Sequence, residues 1–265
     1  MRFFTIASGS SGNAYYLNIA DQHFLIDAGV SGKKIEHALQ KFNINSLNGI
    51  FITHEHRDHI TGAGVIARRL KADIYATPLT WRYFLRHKNL GTLTENQVKT
   101  IEPNKPLILG GAEVLAFDIP HDASQPVGYV FRPANGNGGG GFPKVAIATD
   151  LGHATDSIKE HLRDARLLIL ESNHDPEMLQ RGRYHPTLKA RVASNRGHLS
   201  NAQAGMLLAE ISTPQTHVIL AHLSEENNTP MLAFDTVQRV LDGNNIKVAK
   251  LEIAERHIMG EVVEI

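Results

Sequence analysis

Short apolar runs recur along the chain, and they constrain its fold more than any other feature of the sequence. In the first half they read RFFTIA, AYYLNIA, HFLIDAG and GIFIT, and in the second half KVAIATD, RLLILES and THVILAH. Runs of this length, rich in β-branched and aromatic residues and bounded by turn residues, predict strands. Between them lie segments with apolar residues at helical spacing, such as GKKIEHALQKF, GAGVIARRL and TPMLAFDTVQRVL, which predict helices. Helices are also expected around 175–195 and 200–211, and IKVAKLEI is expected to be the last clear strand.

The order of these elements predicts the architecture. A strand-rich half with helices is followed by a second half of the same layout, without a close sequence repeat. Two sheets packed face to face with helices outside satisfy this order. We therefore expect an α/β fold: an αββα sandwich of two mixed sheets flanked by helices. The chain has no linker rich in Pro or Ser, so residues 1–265 are expected to form a single domain, and the stretch ANGNGGGG (134–141) a flexible hairpin loop.

Composition excludes several classes of site. Lys+Arg and Asp+Glu are equal at 27 each, so net charge gives no support for nucleic-acid binding, which would have to depend on local patches. The chain has no cysteine, which excludes disulfides and thiolate metal sites. It shows neither a signal-peptide pattern nor an apolar run of about 18 residues, so we expect a cytoplasmic protein without a membrane span.

The segment FITHEHRDHITG concentrates titratable side chains directly after a predicted buried strand. Its spacing is H-x-H-x-D-H. Residues two apart at a strand end point the same way, which places His54 and His56 together, while Asp58 and His59, on the turn that follows, can face a second point nearby. Imidazoles and carboxylates are the ligands of first-row divalent ions. A lone surface histidine would need no such interpretation, but this cluster predicts a metal site.

Four more ligand-type residues follow apolar strands. His121 follows VLAFDIP, Asp150 follows VAIAT, His222 follows HVILA, and Asp27 follows HFLI. Open α/β sheets place their sites beyond the carboxyl ends of strands. Each of these residues alone could simply cap a turn; their shared position is what indicates one site.

Taken in order, these motifs resemble the five motifs of the metallo-β-lactamase fold, over nearly the whole chain. The resemblance implies the same sandwich and two metal sites. The ligands it implies for the first ion are His54, His56 and His121. Those for the second ion are Asp58, His59 and His222, with Asp150 bridging both and Asp27 orienting the ligand loop.

Five shorter stretches resemble one subgroup. ASGSSGN, IPHDA, ESNHD, GHLSN and LAHLS are similar to the YycJ/WalJ group of bacterial DNA exonucleases, which implies degradation of duplex DNA from the 5′ end. The chain is also similar to tRNase Z, which implies that Glu171 and His198 assist proton transfer. His198 is the candidate proton donor to the leaving 3′ oxygen, although a capping or packing role is as compatible with its position. Similar enzymes suggest that Asp58 steers the proton of the attacking water.

Two segments are candidate substrate contacts. The glycine-rich SGSSGN precedes a strand rather than a helix, so a P-loop is excluded, and a tight hairpin is expected. If it borders the site, the backbone N–H groups of Ser10, Ser11 and Gly12, with Asn13 beside them, are candidates to hold a phosphate. Residues 181–198 contain no acid, and we expect them to track a phosphate backbone rather than form only a solvated face. Their cations are Arg181, Arg183, Lys189, Arg191 and Arg196.

The leading hypothesis is a two-metal phosphodiesterase, a 5′-to-3′ exonuclease on double-stranded DNA with a role in DNA repair or replication-linked processing. An RNA-processing or small-molecule phosphodiester hydrolase on the same core is the alternative. Pro120-His121-Asp122 stands where thioesterases of the glyoxalase II type and lactamases usually have Gly-His-Thr, which disfavours those activities. A non-catalytic scaffold is disfavoured because every ligand position is filled. The expected cofactors are two divalent ions, Mn²⁺ or Zn²⁺, with Fe²⁺ as a further option. The expected partners are DNA and repair or replication proteins.

Overall fold

The computed structural model describes residues 1–88, 90–134 and 143–265, and these residues form two sheets of seven strands each. The elements of the first half are β1 (Arg2–Ala7), β2 (Ala14–Ile19), β3 (Gln22–Ile26), α1 (Gly32–Gln40), β4 (Gly49–Phe51), α2 (Arg57–Ile60), α3 (Ala63–Leu70), β5 (Ile74–Ala76), α4 (Pro78–Phe84) and β6 (Val98–Thr100). Those of the second half are β7 (Leu107–Leu109), β8 (Ala112–Asp118), β9 (Val127–Pro133), β10 (Val145–Ala148), α5 (Asp156–Leu162), β11 (Leu167–Glu171), α6 (Pro176–Arg181), α7 (Pro186–Val192), α8 (Asn201–Ile211), β12 (His217–Ala221), α9 (Pro230–Gly243), β13 (Lys250–Ile253) and β14 (Val263–Glu264). The predicted hairpin loop at 134–141 lies, after its first residue, outside the described residues.

The two sheets share one plan. The first has the order β14-β1-β2-β3-β4-β5-β6, and the second β13-β12-β11-β10-β9-β8-β7. Strands β1 to β3 pair antiparallel and β3 to β6 parallel. In the second sheet, β7 to β10 pair antiparallel and β10 to β13 parallel. The prediction of two mixed sheets in halves of similar layout is confirmed.

The hydrophobic core lies in three layers. Between the sheets, the ring of Phe51 packs against those of Phe24, Tyr75, Tyr129 and Phe131, all of them buried. Helices α1, α3 and α4 pack on the outer face of the first sheet, and α5, α8 and α9 on that of the second. Fully burying an aliphatic or aromatic side chain stabilises a protein by roughly 1.5–3 kcal/mol, so these layers hold the sandwich together. The αββα prediction is confirmed, whereas a single domain over residues 1–265 stays a prediction.

Several boundaries differ from expectation. Asp58 and His59 lie in the short helix α2 rather than in a turn. The helical region expected around 175–195 is two helices, because Gly182 ends α6 and Pro186, which has no N–H to donate, begins α7. Strand β13 begins at Lys250 rather than at the start of IKVAKLEI, and the two-residue strand β14, which pairs with β1, was not predicted.

The candidate site lies where the carboxyl ends of β3 and β4 of the first sheet meet those of β10, β11 and β12 of the second. Directly beyond three of these strands the backbone turns through the left-handed region, at Asp27 (φ 55°), Asp150 (φ 60°) and His222 (φ 52°). Such a turn stops the strand at once and leaves the side chain over the sheet edge. None of the helices in the described ranges is long and apolar enough to cross a membrane.

Candidate active site

The Asp27 carboxylate holds the H-x-H-x-D-H loop in place through hydrogen bonds. Its carboxylate is fully buried and accepts hydrogen bonds from the backbone N–H of Thr53 (2.9 Å) and from the Thr53 hydroxyl. His59 Nδ1 lies 2.7 Å from Asp27 Oδ2. Burial opposes a charge on His59, but Asp27 and the neighbouring carboxylates outweigh it and raise the pKa of His59. Because Nδ1 faces Asp27, Nε2 is directed into the site.

The first ligand group consists of three imidazoles. His56 Nδ1 lies 2.9 Å from His54 Nε2 and 3.4 Å from His121 Nε2. The other ring nitrogen of His121 lies 3.1 Å from the carbonyl oxygen of Gly197, to which it donates when Nε2 carries the lone pair. Burial lowers the pKa of both His54 and His121, so these rings are neutral and can bind a metal ion.

The second ligand group adjoins the first through Asp150. Asp58, His59 and His222 form this group, and Asp150 Oδ2 lies 3.2 Å from His59 Nε2. Asp150 Oδ1 lies 3.3 Å from His222 Nε2 and 3.7 Å from His121 Nε2. One carboxylate therefore contacts both groups, in the place where a bridging ligand would stand.

The donor atoms fit divalent cations. Asp150 is buried, and in the described part of the chain its Oδ2 has no well-aligned hydrogen-bond donor, with only His59 Nε2 close to it at 3.2 Å. Leaving a buried carboxylate oxygen unsatisfied is costly. Imidazole nitrogens that point at one another and at this carboxylate are what two cations would satisfy. The geometry brings together all seven predicted ligands.

Glu171 and His198 stand at the edge of the ligand groups. Glu171 is fully buried at the end of β11 and accepts backbone hydrogen bonds from Asp150 (3.0 Å), Leu151 (3.1 Å) and Leu199 (2.8 Å). His198 Nδ1 lies 2.8 Å from Glu171 Oε2. Burial lowers the pKa of His198, but Glu171 outweighs it and raises this pKa to about 9. The imidazole is thus a charged donor next to Asp150.

The SGSSGN hairpin adjoins the site, but its four predicted phosphate contacts are not equivalent. Ser10 and Ser11 are exposed. The N–H of Gly12 donates to the carbonyl of Gly9 (2.9 Å), and the fully buried Asn13 donates its backbone N–H to the Asp58 carbonyl (2.7 Å). The structure therefore directs the serines to solvent, whereas Gly12 and Asn13 hold the hairpin against the ligand loop.

The basic segment lies beside His198 on α6, α7 and the following turn. Arg181 forms an ion pair with Glu177 (2.6 Å), and Lys189 Nζ donates to a backbone carbonyl (2.6 Å). Arg191 is paired with Asp122, and Arg183 is exposed. Of these cations, Arg191 lines the same pocket as His198.

Two acidic residues near the ligands were missed by sequence reasoning. Glu55 Oε1 accepts a hydrogen bond from the backbone N–H of Ser124 (2.9 Å), which ties the H-x-H loop to the His121 loop. Asp122 lines a pocket of about 170 Å³ together with Ser10, Arg191 and His198. Each stands next to a predicted ligand in the chain, and this adjacency is the signal that could have identified them.

Comparisons with known proteins agree with this geometry. A family model described as a beta-lactamase superfamily domain matches residues 22–223. The chain is 37% identical over 253 residues to exodeoxyribonuclease YycJ of Bacillus anthracis, covering 94% of this chain and 92% of that protein. It is 36% identical over 239 residues to exodeoxyribonuclease WalJ of Streptococcus pneumoniae, covering 89% and 86%. The metallo-beta-lactamase fold protein YhfI from Bacillus subtilis superposes with a TM-score of 0.70 at 18% identity, covering 99% of this chain and 98% of that one, and supports the fold alone.

Proposed function

This chain belongs to the beta-lactamase superfamily, and we propose that it is a two-metal phosphodiesterase that degrades double-stranded DNA from a 5′ end. Its superfamily and its relatives make it a metal-dependent hydrolase. The relatives named exodeoxyribonucleases support DNA as the substrate and a chain end as the point of attack.

The observation that carries the proposal is the pair of ligand groups joined by Asp150. His54, His56 and His121 would hold one ion, and Asp58, His59 and His222 the other. When bound, two divalent cations lower the pKa of water and stabilise negative charge on a phosphodiester. The all-imidazole and carboxylate donor set accepts Mn²⁺, Zn²⁺ or Fe²⁺, and we favour Mn²⁺ or Zn²⁺.

The protein's own groups would orient substrate and move protons. The Asp58 side chain is one quarter exposed, so its carboxylate reaches the cleft and is our candidate to accept the proton of the attacking water. His198, held at Nδ1 by Glu171, keeps Nε2 to donate a proton to the leaving 3′ oxygen. Breaking the bond between phosphorus and that oxygen leaves a 5′-phosphate on the remaining strand.

The surroundings of the site support a nucleic-acid strand as substrate. Exposed Ser10 and the Arg191 cation line one pocket with His198, and the other cations of residues 181–196 belong to the same segment of chain as Arg191. Neutralising phosphates with Arg and Lys is the main source of affinity for nucleic acids. We extend the proposal to a cytoplasmic enzyme that acts in DNA repair or replication-linked processing with proteins of those pathways.

A phosphodiesterase acting on RNA or on a small molecule is the second candidate, because the ligand groups alone do not distinguish these substrates. An end-labelled DNA duplex, carrying a 5′-phosphate or a 5′-hydroxyl, tests the choice in Mn²⁺ and separately in Zn²⁺. We expect progressive loss of nucleotides from the 5′ end. Asp58→Asn should abolish it, and the matched change Asp235→Asn, at an exposed position of α9, should not.

The contrary result is equally informative. If neither metal supports cleavage of DNA while bis-p-nitrophenyl phosphate is hydrolysed, the dinuclear site stands and DNA is not the substrate. Absence of bound metal from the purified protein, together with absence of both activities, would favour a non-catalytic scaffold.

A further inference from the structure

Asp122 lies between the ligand groups and helix α7. Its Oδ1 is 3.3 Å from His121 Nε2, and its Oδ2 accepts a hydrogen bond from Arg191 Nε. The carboxylate therefore joins two residues that are far apart in the chain, His121 and Arg191.

The turn after α7 is hydrogen-bonded to the loop that contains His121 and Asp122. Arg196 Nη2 donates to the carbonyl oxygen of His121 (3.0 Å), and His121 Nδ1 faces the carbonyl oxygen of Gly197 (3.1 Å). These contacts hold the backbone near Arg191 in place. The direction of its long side chain is then determined by the carboxylate with which it pairs.

Arg191 is the cation of the basic segment that lines the pocket beside His198. In the described part of the chain its ion pair uses Nε alone, so the two terminal nitrogens keep their N–H donors. Arg181 is paired with a glutamate of its own helix, and Lys189 and Arg196 donate to backbone carbonyls. A guanidinium with free donors beside a proton donor matches a phosphate group.

We propose that Asp122 is a positioning residue: it holds the Arg191 guanidinium in the pocket beside His198, where the free N–H groups bind a phosphate of the strand next to the scissile one. The inference rests on the proposed phosphodiesterase function. A carboxylate so close to a polyanion would by its charge alone weaken binding. If Asp122 positions Arg191, removing its charge should weaken DNA binding. If it acted only through its charge, removing that charge should strengthen DNA binding, so the sign of the change in Kd distinguishes the two.

The test measures the Kd of the metal-loaded protein for a fluorescent duplex with uncleavable phosphorothioate ends, by anisotropy at about 0.1 M salt. Arg191→Ala should weaken binding about tenfold, and Asp122→Asn about three- to tenfold. The double variant should bind no more weakly than Arg191→Ala, because Asp122 acts through Arg191. Asp122→Glu keeps a carboxylate that can accept from Arg191, so this variant should bind DNA within about twofold of the unmodified protein.

Glu113→Gln is the matched control. It breaks another exposed arginine–carboxylate pair, Arg132 with Glu113 (2.6 Å), whose side-chain exposures of 52% and 17% resemble the 57% and 26% of Arg191 and Asp122. That pair lies on β8 and β9, and neither residue lines the pocket. We expect no change in Kd for this variant.

Equal or tighter binding by Asp122→Asn overturns the proposal, and so does an additive loss in the double variant. Metal content is measured for each protein. If Asp122→Asn loses metal, Arg191→Lys decides: it keeps the charge without the planar fork, and binding as tight as in the unmodified protein overturns the proposal. If the unmodified protein neither binds nor cleaves DNA yet hydrolyses bis-p-nitrophenyl phosphate, the proposed function itself fails.

Discussion

Replacing Glu171 by Gln should destabilise the protein because the buried carboxylate accepts hydrogen bonds from four N–H groups. Oε1 accepts from Leu151 and Leu199, and Oε2 from Asp150 and His198. A glutamine has one oxygen, and its NH₂ group would face two of these donors. Losing two charge-assisted hydrogen bonds costs about 3–6 kcal/mol, at roughly 1.5–3 kcal/mol for each.

Urea and thermal denaturation of the metal-loaded protein measure this change, with the single tryptophan, buried Trp81, as a fluorescence probe. For a domain of this size the midpoint should fall on the order of 10 °C. The matched change Glu113→Gln removes an exposed ion pair and should alter the free energy of unfolding by less than about 1 kcal/mol. A free energy for Glu171→Gln that stays within about 1 kcal/mol of the unmodified protein would refute the reasoning.

Other changes test the rest of the site. Asp27→Asn places an amide where His59 Nδ1 now has a carboxylate, and metal affinity measured by calorimetry should fall about 10- to 100-fold; unchanged affinity contradicts the orienting role. Gly29→Ala would put a Cβ 1.6 Å from the carbonyl oxygen of Asp58, so the free energy of unfolding measured in urea should fall by about 1–3 kcal/mol. Gly243→Ala, at the end of a helix and with nothing within 4 Å of the added methyl, should not destabilise the protein. His198→Ala should slow DNA cleavage about 10²- to 10⁴-fold with metal content unchanged, and should slow bis-p-nitrophenyl phosphate hydrolysis less, because that leaving group needs no proton; equal losses would remove the proton-donor assignment. Chelation should lower the thermal midpoint and abolish activity, and added Mn²⁺ should restore both; a midpoint that chelation leaves unchanged would argue against a bound metal.

The ligand-type residues were predictable because their signal is local. Each follows a short apolar run, and such a run specifies a strand by its own composition and length. Once the strands are placed, a residue such as Asp150 or His222 must lie at the carboxyl edge of its sheet. The same local patterns account for the confirmed sandwich and for most helices.

Other features depend on contacts between residues distant in the chain. Strand β14 has two residues, too few for a pattern, and it exists because β1 offers an edge to pair with. The role of Asn13 in holding the ligand loop became visible only with its hydrogen bonds to Gly9 and Asp58. Sequence reasoning grouped it with exposed Ser10 and Ser11, because glycine-rich hairpins look alike regardless of what they pack against.

The sequence by itself determined the classes of element, their order and which side chains are candidate metal ligands, since backbone preference and burial are encoded within a few residues. Only the tertiary structure decided which side chains share a carboxylate, which way Nε2 of His59 points, and that Asp122 meets Arg191 across 69 positions of chain. These features depend on packing, because they arise only when the two sheets and their loops come within hydrogen-bond distance. The interacting residues are too far apart in the chain for a local sequence pattern to contain both of them.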